Sequence, residues 1–238
     1  MSRIFPPVAV CPELHQAGQA ALFPDHATME TKQTRCRIPL KLILLIACLY
    51  VLDQVTKWLV VLNYELPLYR VDHTPVISGN GLIGFDIVRV HNTGVAFGAG
   101  NGTAWAPFVF LGVQVVALVA LVILYRRGFF FNRPLRLAWA CIMTGVLGNM
   151  TDRLVQGFFL PGAEHLSFFE NLTNGYVVDF LDFYFPWIPS EIFPEGYHWP
   201  AFNVADSCVC IAAAVFLLVA FFADRRPAEA PDKKSESH

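Results

Sequence analysis

Four blocks of apolar residues, each close to the length of a bilayer crossing, constrain this chain more than any other feature. They run from about Leu42 to Leu62, Ala104 to Tyr125, Leu135 to Leu154 and Phe202 to Ala223. A helix needs about 20 residues to cross a hydrocarbon core about 30 Å thick. A soluble core would scatter its apolar residues at helix or strand periodicity, whereas these are contiguous. Only 15% of the residues are charged, against about 25% in a soluble domain. The expected fold class is therefore an all-α integral membrane protein with four transmembrane helices.

Lys and Arg orient it. Lys32, Arg35, Arg37 and Lys41 precede the first block, and Arg126, Arg127, Arg133 and Arg136 join the second to the third. Arg225, Arg226, Lys233 and Lys234 follow the fourth. Positive residues mark the cytoplasmic side. Both termini are thus expected inside, with residues of about 63–103 and 155–201 outside. Residues 1–35 read as a flexible cytoplasmic extension, 36–226 as the membrane domain and 227–238 as a cytoplasmic tail. A net charge of −2 gives no reason to expect nucleic acid. Cys208 and Cys210 are about 200° apart on a helix, which is poor geometry for sharing a metal.

The outer connections carry their own signals. In the first, "GFDIVRV" alternates and "SGNG" marks a turn, so a small extracytoplasmic β-platform is expected between the first two spans. The second is rich in aromatic residues and proline. Its Trp187, Trp199, Tyr184 and Tyr197 suit the headgroup level.

Polar groups near hydrocarbon cost several kcal/mol unless paired or hydrated, so each is a candidate. Asp53 and Lys57 stand four apart, acid first, and can pair on one helix face. Asn149 and Arg153 share a face, with Asp152 beside them. Asp179 and Asp182 lie in "GYVVDFLDF", and Asn203 and Asp206 open the fourth block. An N-cap role suits Asn203. Asp206 lies about one turn into the block, too deep for that role alone. Acids from separate elements converging at one surface suggest an aspartyl dyad sharing a proton, one carboxylate activating water while the other polarises a carbonyl. The HExxH zinc signature and phosphate-binding loops are absent from the sequence. A four-span carrier or proton-linked transporter using the acids as a relay is the rival reading.

The segments "LDQVTK", "HNTGVAFG", "GNMTDRL", "VVDF" and "FNVADS", in that order, resemble the signature segments of the lipoprotein signal peptidase (signal peptidase II) family. The resemblance implies a bacterial inner-membrane aspartyl endopeptidase, its site facing the periplasm or exterior. Such an enzyme needs no metal or other cofactor. Its substrate is a prolipoprotein carrying a diacylglyceryl cysteine, cut on the N-terminal side of that cysteine. Membrane lipids are the other expected partner, and a monomer is expected. The family pattern makes Asp179 and Asp206 the catalytic acids. Asp53, Lys57, Asn92, Gly94, Asn149, Asp152, Arg153, Asn203 and Ala205 match its other typical positions, as substrate-binding or supporting residues. The gap between "TDRL" and "VVDF" is longer than the family's. Phe158–Phe159 and Phe168–Phe169 in that insert are expected to dip into the outer headgroup region.

Overall fold

The computed structural model describes residues 36–65, 73–77, 81–94, 105–192, 194 and 196–223. The expectations for residues 1–35, for 227–238 and for Val95–Gly98 of "HNTGVAFG" lie outside the described residues. Four long helices form where the apolar blocks stand: α1 (Leu40–Asn63), α2 (Ala106–Arg126), α3 (Arg133–Val155) and α5 (Val204–Ala223). A short helix, α4 (Phe168–Thr173), lies between α3 and the second pair of strands.

Local chemistry sets the helix starts. Pro107 falls in the first turn of α2, where its missing N–H costs nothing. Asn132 caps α3 by accepting the Leu135 N–H at 2.9 Å, with Pro134 in the first turn.

Helices α1, α2 and α5 are apolar and long enough to cross a membrane. Much of their surface is exposed aliphatic side chain, for example Leu44, Val116 and Leu217, as suits a helix whose solvent is lipid. Helix α3 differs. It carries Arg133, Arg136, Asp152 and Arg153 and packs against all three of the others. Glycine lets α5 come close to it. A Cβ on Gly145 would meet the Ala205 carbonyl oxygen at 2.8 Å, and one on Gly148 would meet Ala205 Cβ at 3.1 Å. Small residues bring membrane helices into backbone contact in this way.

The sheet is larger than expected and has two sources. Strands β1 (His73–Ile77) and β2 (Gly84–Asn92) come from between α1 and α2, as the alternation predicts. Strands β3 (Val177–Phe185) and β4 (Tyr197–His198) come from between α3 and α5 and complete an antiparallel sheet in the order β1-β2-β3-β4. A two-stranded hairpin is marginal alone, so the platform is a joint product of both connections rather than of the first one only. Arg89 ties it to α1 by donating to the carbonyls of Val61 (3.1 Å) and Tyr64 (2.8 Å) at that helix's last turn.

Candidate active site

Strand β3 and the start of α5 are locked together before any side chain is considered. Phe202 pairs with Leu181 as an isolated bridge, donating to its carbonyl at 3.1 Å and accepting its N–H at 2.8 Å. Helix α5 therefore begins directly beside Asp179.

It begins at Val204, two residues into the apolar block. Asn203 is the cap, and Asp206 is the third residue of the helix. They bond reciprocally: Asn203 Oδ1 accepts the Asp206 N–H at 2.9 Å, and Asp206 Oδ2 accepts the Asn203 N–H at 3.3 Å. Asn203 is thus the cap, as expected, and Asp206 bonds back to it from within the first turn. Its other oxygen, Oδ1, accepts from Asn149 Nδ2 at 2.7 Å.

Asp179 is reached from both sides. Asn203 Nδ2 donates to its Oδ1 at 2.7 Å, and Asn92 Nδ2 donates to its Oδ2 at 3.0 Å. The second contact follows from register: Val90 lies opposite Asp179 and Asn92 opposite Val177, so Asn92 is a diagonal neighbour. Asn203 therefore touches both acids, one through its side chain and one through its backbone. Burial, and next the Asp206 carboxylate, push the Asp179 carboxyl up to about 8. Burial, and next Arg89, hold His91 down at about 3, so this ring is neutral where it stacks on Tyr176.

Below the acids lies a fully buried ionic brace. Lys57 Nζ contacts Asp53 Oδ2 at 2.9 Å, Asp152 Oδ2 at 3.0 Å and Asn149 Oδ1 at 2.9 Å. The three donors of the ammonium are all used. Asp53 Oδ1 accepts the Ala205 N–H at 2.8 Å, and Asp152 Oδ2 accepts the Val178 N–H at 3.1 Å. The brace so reaches α5 and β3, each one residue from a candidate acid. Asn149 accepts from Lys57 and from Asn203 (3.2 Å) while donating to Asp206. It thereby links the ammonium to both Asn203 and Asp206. Arg153 donates to the Gly94 carbonyl at 2.6 Å and lies over the Phe110 ring, 4.9 Å from its centroid.

The structure brings all eleven sequence-derived positions into this hydrogen-bonded cluster through side chain or backbone. Arg153 joins it by holding the Thr93–Gly94 backbone next to Asn92, whose Oδ1 accepts the Gly94 N–H. Asp182 is elsewhere. It stands 2.9 Å from His198 Nδ1 across the β3–β4 pairing. Sequence reasoning missed Gln54, which donates to Asp152 Oδ1 and Asp53 Oδ2 at 3.1 Å each, although it stands inside "LDQVTK". A cavity of about 220 Å³ opens beside Asp206, lined by Asn92, Asn149, Arg153 and Asp206 on one side and by Phe110, Val113 and Gln114 of α2 on the other.

The profile of the family described as signal peptidase (SPase) II matches residues 45–222. A lipoprotein signal peptidase from Alteromonas mediterranea is 33% identical over 81% of this chain and 82% of its own length. One from Nitratidesulfovibrio vulgaris is 37% identical over 71% and 82%. A solved bacterial membrane enzyme, 23% identical, superposes over 82% of this chain and 98% of its own with a TM-score of 0.57, a likeness of fold. Motif order, helix arrangement and matched length agree: this chain belongs to the signal peptidase II family and is a bacterial membrane peptidase.

Proposed function

We propose that this chain removes the signal peptide from diacylglyceryl-modified prolipoproteins, cutting N-terminal to the lipidated cysteine with Asp179 and Asp206 as its catalytic acids. The observation that carries the reading is Asn203, which touches both carboxylates, buried Asp179 and the half-buried Asp206 that lines an open cavity. The rival carrier reading has no support among the relatives.

Burial and the neighbouring carboxylate favour Asp179 as the holder of the pair's proton at neutral pH. Asp206 lines the cavity and, when ionised, accepts a proton from a water there. The resulting hydroxide attacks the carbonyl carbon of the residue before the cysteine, whose oxygen Asp179 polarises. The tetrahedral intermediate then collapses, the C–N bond breaks, and a proton passes to the leaving cysteine amine. Water is consumed and one acid and one amine are formed. Asn92, Asn149 and Asn203 orient the two acids, while Lys57, Asp53 and Asp152 hold the elements that carry them. Arg153, with Gly94, shapes the cavity mouth.

Helix α3, at 23 residues, spans about 35 Å at 1.5 Å per residue and is the fourth crossing in this reading. Its charges face the site or the water at its ends. Both termini are then cytoplasmic and the site faces outward, following the Lys and Arg distribution. Residues 36–226 form the peptidase unit, flanked by cytoplasmic segments at 1–35 and 227–238. One copy supplies every acid and its brace, so a monomer suffices, with membrane lipid around it.

The test is cleavage of a diacylglyceryl-modified prolipoprotein by purified protein, compared with the unmodified precursor. Asp179→Asn and Asp206→Asn should each abolish processing while the protein remains in the membrane. Substantial cleavage by either variant removes the dyad.

A further inference from the structure

Helix α2 (Ala106–Arg126) carries one strongly polar side chain, Gln114, before its terminal arginine. It sits near the middle of the helix, where an amide in hydrocarbon costs several kcal/mol without partners. Gln114 Oε1 is buried and has no hydrogen-bond partner among the described residues. Instead Gln114 lines the cavity that also holds Asp206, Asn149, Asn92 and Arg153. Buried polar atoms are almost always satisfied in native proteins. On a residue that lines a reactive cavity, such an atom is an acceptor waiting for a donor.

The geometry points to Gln114 as a substrate-positioning residue that accepts a main-chain N–H from the signal peptide, just N-terminal to the scissile bond. This rests on the function proposed above. Three observations select the peptide over the lipid. First, the open atom is an acceptor, whereas the diacylglyceryl group offers only ester and thioether acceptors and no donor. Second, a helical stretch of signal peptide has no free N–H in its interior, so the donor belongs to an extended segment, which is the conformation leading into a cleavage site.

Third, the depth fits. Phe110, under the Arg153 guanidinium, and Gln114 are four apart on α2 and share a face. Gln114 is therefore about 6 Å further along the helix. An extended chain covers that in about two residues. The contact falls two to four residues before the cut. Phe110 and Val113 give this wall of the cavity an apolar lining, so the hydrogen bond is shielded from water and carries weight in positioning.

The experiment uses the full chain in lipid bilayers. Gln114→Met keeps the length and removes the hydrogen bond, and Gln114→Asn keeps the amide but withdraws it by one methylene. Each is assayed on a diacylglyceryl prolipopeptide. A companion set of substrates has a single backbone amide replaced by an ester, which deletes one N–H, at the second, third or fourth position before the cut. Both variants should lose about tenfold in kcat/KM, mainly through KM, because the contact is remote from the reacting atoms. At one position the ester should cost the native protein the same factor, yet cost Gln114→Met nothing further.

A merely structural role would slow all substrates alike and leave the ester losses multiplicative. That result overturns the proposal, as does native activity in both variants. So does a loss that vanishes when the lipid esters are replaced by ethers, which would assign the amide to the lipid. Asp179→Asn is inactive on every substrate here. Its unexpected activity would instead refute the catalytic reading and leave the Gln114 result standing.

Discussion

Asp179 and Asp182 project from opposite faces of the same strand. Asp179 receives Asn203 and Asn92 at 2.7 and 3.0 Å, whereas Asp182 stands 2.9 Å from His198 Nδ1. A spacing of three residues turns a strand side chain to the other face. The stretch "GYVVDFLDF" thus contains one acid aimed at α5 and one that fastens β4 to the sheet.

Asp182→Asn should therefore keep the chemistry and lose stability. The buried contact with His198 is weakened, which costs about 1–3 kcal/mol. Thermal unfolding should shift downward while kcat at low temperature stays near native. Complete loss of cleavage by a folded Asp182→Asn protein would move the catalytic assignment.

Lys57→Met tests the brace. Removing the ammonium leaves Asp53 and Asp152 buried without their cation, and breaking a buried ion pair from one side costs about 3–5 kcal/mol. Asn149 also loses the donor that orients its amide toward Asp206. Expression in the membrane and activity should fall together. Adding Asp53→Asn and Asp152→Asn to Lys57→Met should recover part of the stability, since the uncompensated charge is gone. If the triple variant is no more stable than the single one, the brace is not held by charge.

Gly148→Ala probes how closely α5 must approach. The added methyl would stand 2.5 Å from Asp53 Oδ2 and 3.1 Å from Ala205 Cβ. Either Asp53 or the start of α5 must move, and both position Asp206. A loss of at least tenfold in kcat is expected, since small misplacements at a reacting centre are costly. Gly112, where an added Cβ would meet open space, is the control, and Gly112→Ala should be native-like.

The pH dependence has a defined sign. Asp179, raised to about 8 by burial and by Asp206, is protonated below that pH and loses its proton above it. The mechanism needs that proton on the carbonyl side, so kcat/KM should fall through a limb near pH 8, by about tenfold per unit. Asp182→Asn should leave the limb unchanged. A profile that stays flat well above this pH would mean that Asp179 is not the proton carrier.

These tests also mark where sequence reading succeeds. The four helices were legible because contiguous apolar runs of bilayer length have few other uses. The acids were legible because carboxylates are costly in such runs. Strand β3 was harder to see: "VVDFLDF" buries much of both faces, so its hydrophobicity does not alternate cleanly. His198 could not be assigned to Asp182, because a two-residue strand has no periodic signal. The capping role of Asp206 depended on whether α5 starts at Phe202 or Val204, a boundary set by the Phe202–Leu181 bridge. Gln54 and Gln114 are uncharged. Their roles appear only when α3 and the cavity are brought beside them.

The insert between α3 and β3 supplies the last prediction. A capping box between Ser167 and Glu170 fixes α4, which lies against α2 and α3. Phe158 and Phe168 pack at 5.3 Å, and Phe159 meets Trp58 of α1 edge-on at 4.9 Å. Phe159, Phe168 and Phe169 nonetheless remain exposed. Three exposed aromatic rings continuous with the helix ends match the outer headgroup level better than water. Replacing all three with Ser should leave cleavage unchanged in detergent, where substrate reaches the cavity freely. In liposomes, where substrate must arrive through the bilayer, the rate should fall several-fold. Brominated lipid should also quench a Trp placed at Phe168 and no longer do so once the other two rings are removed. Equal activity of the triple variant in both media, or no quenching at all, would show that the insert stands clear of the membrane.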